Sequence, residues 1–410
     1  MTRSDGGALG AGFWTYAALI LLSFAGSIGH VIAATWLLLH GPHGPAYAAS
    51  AFLIGALPPI LLYRVVRARV SSGNLAAKLA RLDLMQATLA VAVPVLHYAG
   101  LSLPRGVILG QELLLSCCGA FVFPLSRMLL TRLVAPEQAV RANAVSAAVF
   151  QIGNSVGAAQ GGLVVAAAGP YLAMTINAAT FLVSAAGLSL RLRGPAAAGG
   201  QGTAAATRPH APGRRQLRAL VLLTVCLLAT QRLLLGLLGP IVDVDLGRSA
   251  AAQGGLQLCF TLGGVLGGAL LARPLARVLP APVIVTAGVL GAVASLVPLL
   301  TTNLLAVGTA AGLLGLVVSC WAVSQSVAQR TAGPQGEGPL LALIGLGQSG
   351  AAVLIYGASS LLLLTVDPAV VFAGLGCLLA ALILGTARTA LPQPRETGAS
   401  AAVAADRVAG

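Results

Sequence analysis

Three ionisable residues stand inside otherwise apolar runs of this chain: His30, Glu112 and Arg232. A charge in hydrocarbon is costly unless it faces a partner or a wet cavity, so each is a candidate for chemistry that moves charge. Histidine titrates near pH 6.5 and suits proton relay, although a lone histidine also fits a hydrogen-bonded packing role. Asp83 sits at the inner end of another apolar run. No GxxxxGK[ST] loop occurs, so this chain has no nucleotide site of that form to drive work. A membrane-bound transferase would need acids or histidines gathered near one face, but ten acids and five histidines are scattered. The six cysteines lie in apolar runs without CxxC or CxxH spacing and read as packing residues. No catalytic residue, metal site or cofactor is expected.

The elements that position these residues follow from composition. The chain has 410 residues, of which 57% are hydrophobic and only 8% charged. A soluble domain carries roughly 25% charged residues, so a soluble enzyme and a nucleic-acid binder are both excluded. An apolar run of about 20 residues crosses the roughly 30 Å hydrocarbon layer. Such runs fall at 13–39, 45–64, 82–101, 106–127, 142–166 and 170–191, then at 217–241, 250–272, 281–301, 304–326, 340–365 and 368–388. The expectation is an all-α membrane protein of twelve transmembrane helices in two six-helix bundles. The first run is too long for a cleaved signal peptide. The bundles occupy 1–193 and 217–391, with a Gly/Ala/Pro/Arg-rich linker at 194–216 and a disordered tail at 392–410.

Arginine placement orients the chain. With the N-terminus cytoplasmic, 21 of the 24 basic residues fall in cytoplasmic segments. Only Arg105 and Arg248 fall outside, and Arg232 lies within a span. Positive charge marks the cytoplasmic side, so both termini are expected there, in a multi-pass plasma-membrane protein. The net charge of +14 is then topological and implies no nucleic acid partner. Ile152-Gly-Asn-Ser155 and Leu346-Gly-Gln-Ser349, 194 residues apart, echo each other as a parallel duplication would.

Local sequence resembles one transporter family. Phe121-Val-Phe-Pro124, Ala135-Pro-Glu137 and Arg141-Ala-Asn-Ala144 are similar to the fourth span and following loop of drug and siderophore exporters. So is the stretch with Gly153, Gly157, Gly161-Gly162, Gly169-Pro170 and Asn177-Ala-x-x-Phe181. The chain thus resembles the major facilitator superfamily, in its macrolide-efflux and enterobactin-exporter branch. The resemblance is good over residues 105–193 and looser elsewhere. Two features depart from the family pattern. Its loop between spans two and three carries an aspartate latch, where this chain has Tyr63 and Val66 among Arg64, Arg67 and Arg69. Asp83 is the candidate substitute for that latch. In span five the antiporter motif's glycine-proline appears as Gly157-Ala158, which keeps a backbone hydrogen bond and a straighter helix.

The resemblance implies that spans one, four, seven and ten line a central cavity. Trp36, Gln111, Gln231, Trp321 and Gln325 are then candidates for substrate contact, although Trp36 also fits an interfacial aromatic belt. Glu112 and Arg232 lie at similar depth, so the resemblance makes them a gating ion pair between the halves. Protonation of Glu112 would release Arg232, and His30 would join the network. The glycines of span five also fit a plain helix-packing role. The function implied is secondary active transport, with protons and a small amphipathic compound as partners and a monomer as the working unit. Uptake by symport and a non-transporting scaffold or sensor are the alternatives.

Overall fold

The computed structural model describes residues 9–70, 74–135, 138–191, 214–272 and 281–390. They form thirteen α-helices and one π-helical turn. In the first half α1 (Ala11–Leu39) is followed by α2 (Gly44–Ala56), α3 (Pro58–Leu61) and α4 (Tyr63–Val70). Then come α5 (Leu75–Tyr98), α6 (Arg105–Leu133), α7 (Ala139–Ala168) and α8 (Pro170–Arg191). The second half holds α9 (Arg214–Pro240), α10 (Ala250–Ala272), α11 (Ala281–Leu300), α12 (Leu304–Leu362) and α13 (Pro368–Ala390). The π-helical turn, Ile241–Asp245, prolongs α9.

Helix ends follow local chemistry. Asn74 and Asn303 cap α5 and α12 by accepting from Ala77 N and Leu305 N. The expected second span breaks at Leu57, because Pro58 and Pro59 start a new helix and supply no N–H to the old one. Beyond that break, α4 carries Arg64 and Arg69, both exposed. Gly169 closes α7 at φ 86°, a conformation that a residue with a β-carbon rarely adopts.

Nine helical stretches among the described residues are long and apolar enough to cross a membrane. The three further expected spans coincide with α7, α10 and the second arm of α12. α12 is one continuous helical element of 59 residues where two spans were expected. Its contacts show that it doubles back. Gly308 and Gly312 lie against Cys259 of α10, Gly315 against Phe260, and Leu316 against Gly267, so this arm runs in the same direction as α10. Ser324 meets Thr224 of α9, and Gly347 and Tyr356 then follow Val225 and Gly236. From Ser324 to Tyr356 a straight helix would advance about 48 Å, yet Thr224 and Gly236 are only about 18 Å apart along α9. The chain therefore reverses between these arms. The expected linker gives way to helix at Arg214; residues 194–213 and 392–410, with Pro136 and Glu137, lie outside the described residues.

Each half packs around its own helices: α1 against α7 and α8, and α5 against α6 and α8. In the second half α10 and α9 pack on α12, and α13 packs on α9 and α11. The halves meet through α7 with α10 and through α2 with α9 and α12. The side on which α1 begins is called the near side below, and the opposite side the far side.

Candidate functional site

Two connected cavities lie where the halves face each other. One, of about 310 Å³, runs between Thr35 and Phe52 of the first half and Gln253, Gln257, Gln348 and Tyr356 of the second. The other, of about 460 Å³, reaches into the first half toward the near side, past Ser23, Phe24, Gln86, Phe123, Ser126 and Phe150. Both are bordered by Ile28, Val31, Gly55, Glu112 and Arg232, which form the neck between them. Cavities of this size, mostly apolar with a few polar groups, suit small-molecule binding.

The charged groups at the neck are arranged differently from the expected ion pair. His30 Nε2 and Glu112 Oε1 are 3.0 Å apart, the histidine 2% exposed and the glutamate 14%. Both belong to the first half, on α1 and α6. Arg232 lies on α9 across the space and is not within 4.0 Å of a carboxylate among the described residues. Open cavity separates the two helices there. Arg232 is instead the charge beside the buried Tyr356 hydroxyl.

The remaining candidates separate into cavity and scaffold. Gln111 turns away from the cavity and donates through Nε2 to Leu89 O at 2.6 Å and Ala90 O at 3.3 Å. The reason lies in α5: Pro94 has no N–H, so it leaves the carbonyl four residues earlier, Ala90, without its helical partner. Asp83, buried, takes a side-chain hydrogen bond from Ser184 of α8 and borders neither cavity. It makes no ion pair with Arg64 or Arg69 among the described residues; the Arg67 side chain lies outside them. Trp321 packs into the cores of the second half, and it and Gln325 border neither cavity. Gln231 lines a small separate space with Gln151, Asn154 and Gln257 between the halves.

Trp36 is a tie and not a cavity wall. Its Nε1 donates to Gln253 Oε1 at 2.5 Å, joining α1 to α10 on the far side. Nearby, a β-carbon on Gly162 of α7 would strike the Ala250 carbonyl, and one on Gly254 of α10 would strike the Ala158 carbonyl. The helices therefore touch backbone to backbone. Gly157 and Gly161 serve α1 in the same way, against Ala25 and Gly29. Phe52 against Tyr356, with rings 5.4 Å apart, continues the junction at mid-depth. The cavity is shut on the far side in this conformation.

Tyr356, Gln257, Gln348, Gln86 and Ser126 are wall residues that sequence reasoning passed over. A signal existed for one of them, since Gln348 and Ser349 belong to the internal echo and both border the inter-half cavity. For the others none existed, because polar residues in spans are common and nothing local gives their azimuth.

Solved structures define the class. The chain superimposes on a bacterial homologue of the iron transporter ferroportin in an inward-facing state, with TM-score 0.68 and 15% identity, covering 93% of this chain and 100% of that one. It is similar to an auto-inhibited peptide transporter of the POT family, with TM-score 0.65 and 13% identity over 95% and 99% of the two chains. It is also similar to a bacterial homologue of the lysosomal transporter Spinster, inward-facing and unoccupied, with TM-score 0.62 and 15% identity over 93% and 98%. No family model and no curated protein matches the chain. This is an all-helical membrane protein. Its fold is that of the major facilitator superfamily transporters.

Proposed function

We propose that the protein is a secondary active transporter that exports a small amphipathic compound in exchange for protons, by alternating access. The observation that carries this reading is the His30–Glu112 pair, its histidine buried, at the neck of a cavity between two halves. A carboxylate and an imidazole in hydrogen-bond contact can hold one shared proton and lose it when the cavity opens to the other side. The sequence has no GxxxxGK[ST] loop, so this chain brings no nucleotide site of that form to drive transport. Export follows from the resemblance of residues 105–193 to drug and siderophore exporters. Twelve spans, a plasma-membrane location and cytoplasmic termini follow from the hydropathy pattern and the arginine asymmetry. With the near side cytoplasmic, the cavity shut on the far side is inward-facing, the state that two neighbours' descriptions also give.

The test is proton-coupled efflux into inverted vesicles, comparing wild type with Glu112→Gln on amphipathic dyes and antibiotics. Export predicts that pumping collapses in Glu112→Gln while binding is retained. Full activity in Glu112→Gln would remove Glu112 from coupling. No wild-type transport of any compound would reject the export reading.

A further inference from the structure

We propose that the neck of the cavity takes a zwitterionic ligand, with its ammonium group on the His30–Glu112 side and its acidic group at Arg232. The inference rests on reading this space as a transport cavity and adds the charge class of its substrate. Glu112 and Arg232 border both cavities, yet they do not pair with each other. Opposite charges facing each other across a cavity are stabilised by a group that bridges them, and a molecule carrying both signs does so.

Unpartnered polar atoms fall on the His30–Glu112 side. A carboxylate only accepts, so in the neutral ring His30 Nε2 carries the hydrogen toward Glu112 and Nδ1 is left with a lone pair. That nitrogen is buried without a partner, and so is Gln86 Oε1 on the wall of the same lobe. Glu112, His30 Nδ1 and Gln86 Oε1 thus form an acceptor set of the kind an ammonium's three donors require. Across the neck, the Arg232 guanidinium and the Tyr356 hydroxyl beside it can both donate, as an acidic group requires. The near-side lobe between these poles holds Phe24, Phe123 and Phe150, which suit an apolar body. Left without a ligand, the buried acceptors would each lack the partner that interior polar atoms normally have.

The experiment uses one apolar body in four charge states: phenylalanyl-phenylalanine as the free zwitterion, its N-acetyl form, its C-terminal amide, and the doubly blocked form. Binding is measured by isothermal titration on the full chain in lipid nanodiscs. The zwitterion should bind most tightly, and blocking either end should weaken binding about tenfold or more. Glu112→Gln should abolish the penalty for N-acetylation while keeping that for amidation. Arg232→Gln should do the reverse, and the penalty each variant keeps shows that it is folded. Equal affinity for all four forms would overturn the proposal. So would an amide that binds as well as the zwitterion, or no binding by any form. Vesicle transport of other compounds in that last case would leave the transport reading standing. The predicted charge pattern without any transport would reject transport and keep the ligand class.

Discussion

The indole nitrogen of Trp36 donates to the Gln253 side chain at 2.5 Å, joining the first half of the chain to the second at the far side of the cavity. Alternating access requires this contact to break when the far side opens. Trp36→Phe keeps an aromatic ring and removes the donor, which should cost the closed state about 1 kcal/mol. In a cysteine-free background, a cysteine at Leu235 on the cavity wall should then react roughly fivefold faster with an impermeant maleimide from the far side. An unchanged rate would mean that the hydrogen bond does not hold the gate.

Glycines set how closely α7 and α10 approach. Gly162→Ala or Gly254→Ala places a methyl group against a backbone carbonyl of the other half, and overpacking of this kind costs about 1–3 kcal/mol. Each should shift the protein toward the far-side-open form and lower transport at normal expression. Gly255→Ala on the same helix meets no atom within 4 Å and should be silent. Equal loss in all three variants would contradict the gate assignment.

Gln111 repairs a defect that Pro94 makes. Gln111→Leu strands the Ala90 carbonyl and should lower stability by about 1–3 kcal/mol, read as a drop in melting temperature in detergent. Pro94→Ala restores the helical N–H, so the cost of Gln111→Leu should shrink in that background. Equal costs in both backgrounds would break the link between the two residues.

His30 and Glu112 form one hydrogen-bonded unit. Proton-coupled transport should fall about as far in His30→Ala as in Glu112→Gln, and no further in the double variant, because groups acting together lose their joint effect once. Additive losses would assign them separate tasks. Asp83→Asn supplies the contrast. It retains a hydrogen-bonding side chain beside Ser184, away from the cavity, so the proton stoichiometry measured by pH change in vesicles should be unchanged. An altered stoichiometry would return Asp83 to the coupling path.

The sequence by itself determined where the chain is apolar enough to cross a bilayer and that the protein is all-helical with two halves. It also indicated the level at which His30, Glu112 and Arg232 lie. Those are one-dimensional facts: depth accumulates at 1.5 Å per residue, so position along the chain is position along a helix. Tertiary structure alone decided the azimuths. Helices apolar on nearly every face carry little record of which side turns inward. So Gln111 was expected in the cavity and points at a carbonyl of α5, and Trp36, expected on the wall or in an interfacial belt, ties the halves. Glu112 was expected to meet Arg232 and meets His30, because α1 and α6 share a half whereas Arg232 lies across the gap that the cavity occupies.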